Sequence, residues 1–448
     1  MFMLIRQTRF LSLLLFCSIL CLGIGCNDTI AQAQETKAAS NTISERLYKK
    51  HAQSIYQIRV INLASNEKAN LGSGFQISAD GYIATNYHVI SEVPRYPKQH
   101  RIEYLNDQKE TGTLTIVGFD VINDLAILKK EDTDRKNIHA LKMAQVEPQK
   151  GAQIFAMGNP HDIGFTILDG TYNGLSNDSL YQRIHFSGSL NSGMSGGPAL
   201  NSAGEVIGIN VSTAGNQISF LVPVEKLKQL YTKIRTDKND NIMKNANAEI
   251  EEQLYQNQAM LFQNFLTDDW ETRPFGNFIV PGKMSDQFSC WGGQSQNETR
   301  PFSYYRLTCA SDDNLYINRG FSTGRILFRY DRILGNKELS PSRFYSIYEG
   351  DYSRPIDMYE NGGEEEVTNF KCHNDFIAIS EKKWRISSCI RQYKKQKRLF
   401  DYHLYMAQLG EKREGFEASA VLQGISKHTI TAFQKKFLQS IQPHKSSM

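Results

Sequence analysis

Between about residue 52 and residue 222, apolar and polar positions alternate in short runs: "SIYQIRVIN", "GSGFQIS", "GYIATNYHVI", "TGTLTIVGF", "LAILKK", "AQIFAMGN", "EVIGINVS" and "ISFLVPV". Gly, Asn and Asp turns separate them. Many short strands at this spacing predict an all-β sandwich or barrel, not alternating βα units. The period then lengthens to that of a helix over "VEKLKQLYTKI", residues 224 to 234, which reads as a closing helix. "RTDKNDNIMKNANAEIEEQ" is polar and lacks β-branched runs, so it reads as a linker into a helix near "EEQLYQNQAMLFQNFL". From about residue 270 to 448 the chain changes character. It is rich in aromatics, with short strands such as "LYINRG", "RILFRYD" and "FIAIS", and it ends in a helix at "TITAFQKKFLQSI" that is expected to pack on this region. The predicted organisation is a β domain over 45–235, a linker and helix over 236–269, and a separate, mainly β (α+β) domain of unknown fold over 270–448. The acidic "GGEEEV" and basic "KKQKRLF" read as solvated surface.

Length agrees with this division, because 448 residues exceed what one hydrophobic core usually organises. A formal net charge of +4 is too small on such a chain to make nucleic acid a partner. The N-terminus, "MFMLIRQTRFLSLLLFCSILCLGIG", places Arg6 and Arg9 before an apolar run, and "AQA" at 31–33 offers a small-residue cleavage site. This pattern predicts a signal peptide over 1–33 and export to the periplasm or beyond, with an envelope or membrane-surface association as a further expectation. A lipoprotein held through Cys26 ranks second, because Leu22 sits one place too early, and a retained N-terminal helix ranks third. Cys17, Cys21 and Cys26 fall in this segment. Cys290, Cys309, Cys372 and Cys389 remain, an even number that favours disulfides in an exported chain. No tight two-cysteine knuckle points to a metal. "YRLTC" and "WRISSC" each end on one of these cysteines and follow an earlier cysteine at similar distance, which allows a duplicated, disulfide-stapled β unit, but the shared letters are few and coincidence is the simpler reading.

The densest chemical signal is "GMSGGPALN", residues 193–201, which sets Ser195 among Gly193, Gly196 and Gly197. Glycines admit positive φ and close backbone approach, which suits amide donors aimed at a developing oxyanion as well as it suits a plain turn. A serine hydroxyl needs a base, and the base needs an orienting carboxylate. "ATNYHVI" supplies His88, and "GFDVINDLAILK" supplies Asp120 and Asp124, the latter just before an apolar strand where a carboxylate is costly unless hydrogen-bonded.

"GSGFQISADGYIATNYHVI", "VGFDVINDLAILK", "AMGNP", "GMSGGPALNSAGEVIGINVS" and "ISFLVPV", in that order, resemble the protease domain of the HtrA (DegP-like) branch of trypsin-like serine proteases over residues 45 to 232. The resemblance implies two packed β-barrels with the site in the cleft between them. It implies His88 as general base, Asp124 as its orienting acid, Ser195 as nucleophile, and the amides of Gly193 and Ser195 as the oxyanion hole. Asp124 is preferred to Asp120 because the matching motif puts its acid just before "LAIL". Ser187, Ser189 and Ser192 read as turn or pocket-wall residues, and Gly72 and Gly74 as turn glycines of the first barrel. Ser189 and the strand residues Asn210, Val211 and Ser212 are candidates to line the pocket and pair with substrate backbone.

The chain departs from the family pattern at Met194, where a small polar residue is usual, and at Ser192, where proline is frequent. Both flank the oxyanion hole. Met194 also cannot pair with a freed N-terminal amine, so activation by cleavage is not expected. No PDZ-like pattern follows residue 240. The reading is an exported serine endopeptidase acting on polypeptides through an acyl-enzyme, without metal or organic cofactor. The alternative is a degenerate protease fold serving as a binding or chaperone-like envelope protein. An esterase with the same triad is a third reading, disfavoured by the strand after Ser195.

Overall fold

Short alternating strands joined by tight turns bury one face most completely by curling into a closed sheet, which also removes exposed edges. The computed structural model of the protein shows this happening twice. It describes residues 42–131, 139–177, 179–236, 243–295, 300–311, 313–352 and 361–444. The segment read as a signal peptide, with Cys26, lies outside them.

Helix α1 (Ile43–His51) opens on a capping box, in which the Thr42 hydroxyl accepts from the Glu45 amide and the Glu45 carboxylate accepts from the Thr42 amide. The first barrel then forms from β1 (Ile55–Asn62), β2 (Lys68–Gln76), β3 (Tyr82–Thr85), β4 (His100–Leu105), β5 (Thr111–Asp120) and β6 (Leu125–Lys130), in the order β1-β2-β3-β6-β5-β4. Two short helices, α2 (Tyr87–Ile90) and α3 (Glu92–Arg95), lie between β3 and β4. The second barrel comprises β7 (Gln153–Gly158), β8 (Thr166–Leu175), β9 (Ile184–Phe186), β10 (Pro198–Leu200), β11 (Val206–Gly215) and β12 (Ile218–Pro223), ordered β10-β11-β12-β9-β8-β7. Helix α4 (Val224–Thr236) closes this part, and Leu227 and Leu230 join a cluster with Ile55 and Phe75 of one barrel and Phe155 and Ile209 of the other. The barrels are thereby held by a shared apolar seam.

Helix α5 (Ala246–Thr267) begins inside the stretch read as linker. Beyond it come the strands β13 (Thr272–Phe275) and β14 (Phe278–Pro281), then β15 (Ser289–Ser295), β16 (Phe302–Ala310), the hairpin β17 (Leu315–Asn318) and β18 (Phe321–Thr323), β19 (Ile326–Gly335) and α6 (Pro341–Tyr352). They are followed by β20 (Lys371–Ile379), β21 (Lys382–Gln392), β22 (Phe400–Leu409), β23 (Glu414–Ile425), α7 (Lys427–Ser440) and the short β24 (Gln442–Pro443). Seven of these strands make one antiparallel sheet, ordered β15-β16-β19-β23-β22-β21-β20. On its apolar face Phe328, Tyr330, Leu404 and Trp384 meet Phe262 and Phe265 of α5 and Phe433 and Phe437 of α7.

The four cysteines form two disulfides, Cys290–Cys309 and Cys372–Cys389, each between directly paired residues of adjacent strands. One clamps β15 to β16 and the other β20 to β21, so each edge strand of the sheet is tied covalently to its inner neighbour. Where the two regions meet, Tyr87, Val89, Ile90 and Phe119 of the first barrel share one buried cluster with Leu254 of α5 and with Leu315, Ile317, Phe321, Tyr393 and Leu399. The first barrel therefore does not complete its core from its own strands.

Candidate active site

The histidine stands at the start of α2, one turn after β3 ends. Opposite it, the β5–β6 turn is shaped by the Asp120 carboxylate, whose Oδ1 accepts from the amides of Ile122 and Asn123, both at 2.9 Å. Asp120 is thus consumed in an Asx-type turn. The turn delivers Asp124 in the left-handed region, φ 58°, with its carbonyl held by the Asn86 side chain at 2.8 Å. From there the Asp124 carboxylate grips His88 twice: Oδ1 accepts from the His88 backbone amide at 2.8 Å, and Oδ2 lies 2.6 Å from Nδ1. With Nδ1 donating to the carboxylate, Nε2 is left as the basic nitrogen. Burial by itself would lower the His88 pKa, but the charge of Asp124 and its hydrogen bond outweigh it and hold the imidazole above its ordinary value.

The serine lies in a loop whose carbonyls from Ser192 to Ser195 are tied down. The Ser192 carbonyl accepts from the His161 amide at 2.9 Å, that of Gly193 from the Ser73 hydroxyl at 2.7 Å, and that of Ser195 from the Ser73 amide at 2.7 Å. The Met194 carbonyl accepts from the Gly197 amide at 3.0 Å and from the Asn210 side chain at 3.2 Å. In a trans peptide the C=O and the next N–H point opposite ways, so anchoring the Ser192 carbonyl on His161 turns the Gly193 N–H in the other direction. Among the described residues the amides of Gly193 and Ser195 have no partner. A Cβ at Gly193, φ 94°, would stand 2.5 Å from the Asn159 carbonyl oxygen, and one at Gly196, φ 85°, 2.3 Å from that of Ser73. Both positions need glycine on conformation and on space.

Met194 does not crowd this loop. Its side chain is fully buried in the second barrel with Ile154, Ala156 and Leu221. The Ser195 hydroxyl donates to the Val211 carbonyl at 3.4 Å, and among the described residues no hydrogen bond joins it to His88. Beyond Asn210, β11 pairs with β12 alone, so Val211 to Gly215 present a free strand edge beside Ser195. Ser212 on this edge is exposed. Ser189 is exposed too, and its hydroxyl meets the tip of the β11–β12 hairpin through the Asn216 side chain and the Gln217 amide.

Three expectations are corrected. The β run read through "GYIATNYHVI" ends at Thr85, with His88 in a helix, and Gly72 and Gly74, read as turn glycines, lie inside β2. Asn210, grouped with Val211 and Ser212 as a substrate contact, is fully buried, and its amide donates to the carbonyls of Met157 at 3.0 Å and Met194. Its backbone is used as well, by Gly196 and Gly197. Asn210 braces the serine loop from behind. Sequence reasoning missed Asn86 and Ser73 as further braces, although both sit inside the quoted motifs. It could not have found His161, which acts through its backbone amide and so leaves no side-chain signature.

The family model for the trypsin-like peptidase domain matches residues 72–209. A probable periplasmic serine endoprotease, DegP-like, of Pseudomonas fluorescens is 33% identical over 180 residues, covering 38% of this chain and 36% of that protein. Its counterpart in Brucella suis is 34% identical over 168 residues, covering 36% of this chain and 32% of that protein. The chain thus spans about a third of the length of these relatives. The crystal structure of the serine endoprotease from Yersinia pestis covers 44% of this chain and 68% of that one, at 27% identity and a TM-score of 0.39. The double-barrel portion of this chain is a trypsin-like peptidase domain of the HtrA/DegP type.

Proposed function

We propose that the protein is an exported serine endopeptidase that cleaves polypeptides through an acyl-enzyme intermediate. The observation that carries this reading is the pairing of Asp124 with His88 beside a serine loop whose carbonyls are anchored while two amides stay free. Ser195 attacks the scissile carbonyl after a rotation of its hydroxyl from Val211 toward His88 Nε2, the kind of tightening that apo sites undergo on binding. His88 takes the proton and later returns it to the leaving amine. Asp124 keeps the imidazole in the useful tautomer and stabilises its charged form. The Gly193 and Ser195 amides receive the oxyanion, and each such donor is worth about 10²–10³ in rate.

The free edge from Val211 to Gly215 would take substrate as an added strand, which favours a peptide over a simple ester. Ser189 and Ser212 would line the subsite before the scissile bond, and their small side chains suit an uncharged residue there. Strict cleavage after Arg or Lys, seen by cleavage-site profiling, would sink that part.

Labelling the purified protein with a fluorophosphonate, with Ser195→Ala as control, tests the chemistry. Labelling that vanishes in the variant supports an activated serine. Equal signal from both, or none from either, supports the non-catalytic binding protein instead.

A further inference from the structure

The hairpin formed by β17 and β18 belongs to the region after residue 270, yet it is seated on the helix that carries His88. The buried Tyr87 hydroxyl donates to the Ile317 carbonyl at 3.0 Å. Leu315 and Ile317 enter the apolar cluster that buries Tyr87, Val89 and Ile90. Between those two inward residues, Tyr316 turns its ring to the His88 imidazole, edge to face, with centroids 5.8 Å apart and planes at 68°. Its hydroxyl reaches the side chain of Ser91, and the Ser91 hydroxyl in turn donates to the His88 carbonyl at 3.3 Å.

The hairpin is itself rigidly mounted. Phe321 packs against Tyr393 at 4.9 Å, and Thr323 bonds the Tyr393 hydroxyl at 2.7 Å. The Tyr393 hydroxyl donates to Asp401 at 2.6 Å, and Asp401 is paired with Arg391 at 2.7 Å. On the other side, the Asn361 side chain accepts from the Ser322 amide at 2.9 Å. The contact on His88 is therefore backed by the large sheet and not by a free loop.

We propose that Tyr316 is a positioning residue for His88, so that the region after residue 270 completes the active site. A four-residue helix has too few internal bonds to hold a side chain by itself. Asp124 fixes one edge of the imidazole, and Tyr316 limits its swing on a second side. The proposal rests on the reading of His88 as general base.

The test compares Tyr316→Ala and Tyr316→Phe in the full chain with the unaltered protein. Three quantities are read: the rate of fluorophosphonate labelling at Ser195, kcat and KM on fluorescein-labelled casein, and the low-field proton resonance of His88 Nδ1–H, assigned by its loss in His88→Ala. Small misplacements of a catalytic group cost up to about 10²-fold. Tyr316→Ala should label about 10- to 100-fold more slowly and lose kcat with KM little changed, and its low-field resonance should broaden or vanish. Tyr316→Phe, which keeps the ring, should restore all three. Wild-type labelling and an intact resonance in Tyr316→Ala would overturn the proposal, as would a Tyr316→Phe as impaired as Tyr316→Ala. Should Tyr316→Ala not fold, Tyr316→Leu serves with the same expectation in the same direction. If the unaltered protein does not label, the reading as a peptidase fails, and the resonance alone still decides whether Tyr316 positions His88.

Discussion

The His161 amide donates to the Ser192 carbonyl at 2.9 Å, and that one bond sets the direction of the Gly193 N–H. The donor sits in a constrained loop, with φ of 48° at His161 and 62° at Asp162. The loop is held from the first barrel, where the Asp162 carboxylate accepts from Gln57 at 2.6 Å and pairs with Lys68 and, at 3.7 Å, with Arg59. The serine loop of one barrel is thus latched by charges on the other.

Removing the latch should cost activity. Asp162→Ala is expected to slow labelling of Ser195, by up to the roughly 10²–10³ of a lost oxyanion donor. His161→Gly, which keeps the amide and relieves the left-handed backbone, is expected to stay active. Labelling rates for the two variants side by side check this, and equal rates would remove the latch from the mechanism.

Acid inactivation should report His88. Its pKa is raised, so the neutral base is lost below a midpoint that lies above the ordinary imidazole value of 6.5. Asp162 does not contribute there, because hydrogen bonds from Lys68 and Gln57 hold its carboxyl below 3.8. In Asp124→Asn the raising influences disappear while burial remains, so the acid limb of kcat/KM should move to lower pH while the rate falls by about 10⁴. The linked stability has the opposite sense to activity. What His88 gains from Asp124 is fully present below about pH 6.5 and is lost as pH rises through its raised folded value. Urea unfolding between pH 5 and pH 9 measures this.

Met194 should matter to stability more than to chemistry. Met194→Ala removes a fully buried side chain from the second barrel and is expected to cost about 2–5 kcal/mol. At a temperature where the variant stays folded, its labelling rate per molecule should remain near that of the parent. A loss of labelling with unchanged urea midpoint would show that Met194 shapes the oxyanion loop directly.

The two disulfides should stabilise the large sheet independently. Each closes a loop of similar length, 19 and 17 residues apart in sequence, and is expected to contribute about 3 kcal/mol. Cys290→Ser with Cys309→Ser, and Cys372→Ser with Cys389→Ser, should each lower the thermal midpoint. Because the hairpin on His88 is mounted on this sheet, the doubly reduced protein should also label more slowly than the oxidised one.

Much of the fold was legible because strand period and turn residues are local signals. The eight runs from "SIYQIRVIN" to "ISFLVPV" correspond to eight of the twelve barrel strands, β4, β8, β9 and β10 went unread, and the helix read at 224–234 is α4. Asp124 could be preferred to Asp120 only through its motif, since both carboxylates lie in the same turn. The structure separates them by what they bond, Asp120 to its own turn and Asp124 to His88. Asn210 was misplaced because a residue's position on a substrate-facing strand does not say which way its side chain points. Helix α6, the seat of α5 against the first barrel, and the sheet order all went unread, since each depends on partners distant in sequence.

By itself, then, the sequence determined most of the barrel strands and the closing helix, proposed the three groups of the candidate triad and singled out the glycines around Ser195, because these are set by spacing and by backbone conformation within a few residues. Tertiary structure alone decided that His161 would orient the Gly193 amide, that Ser73 would hold the serine loop from the other barrel, and that Tyr316 would reach His88. The reason is physical: each of those contacts closes a loop of tens to hundreds of residues, and its free energy comes from packing that no local window contains.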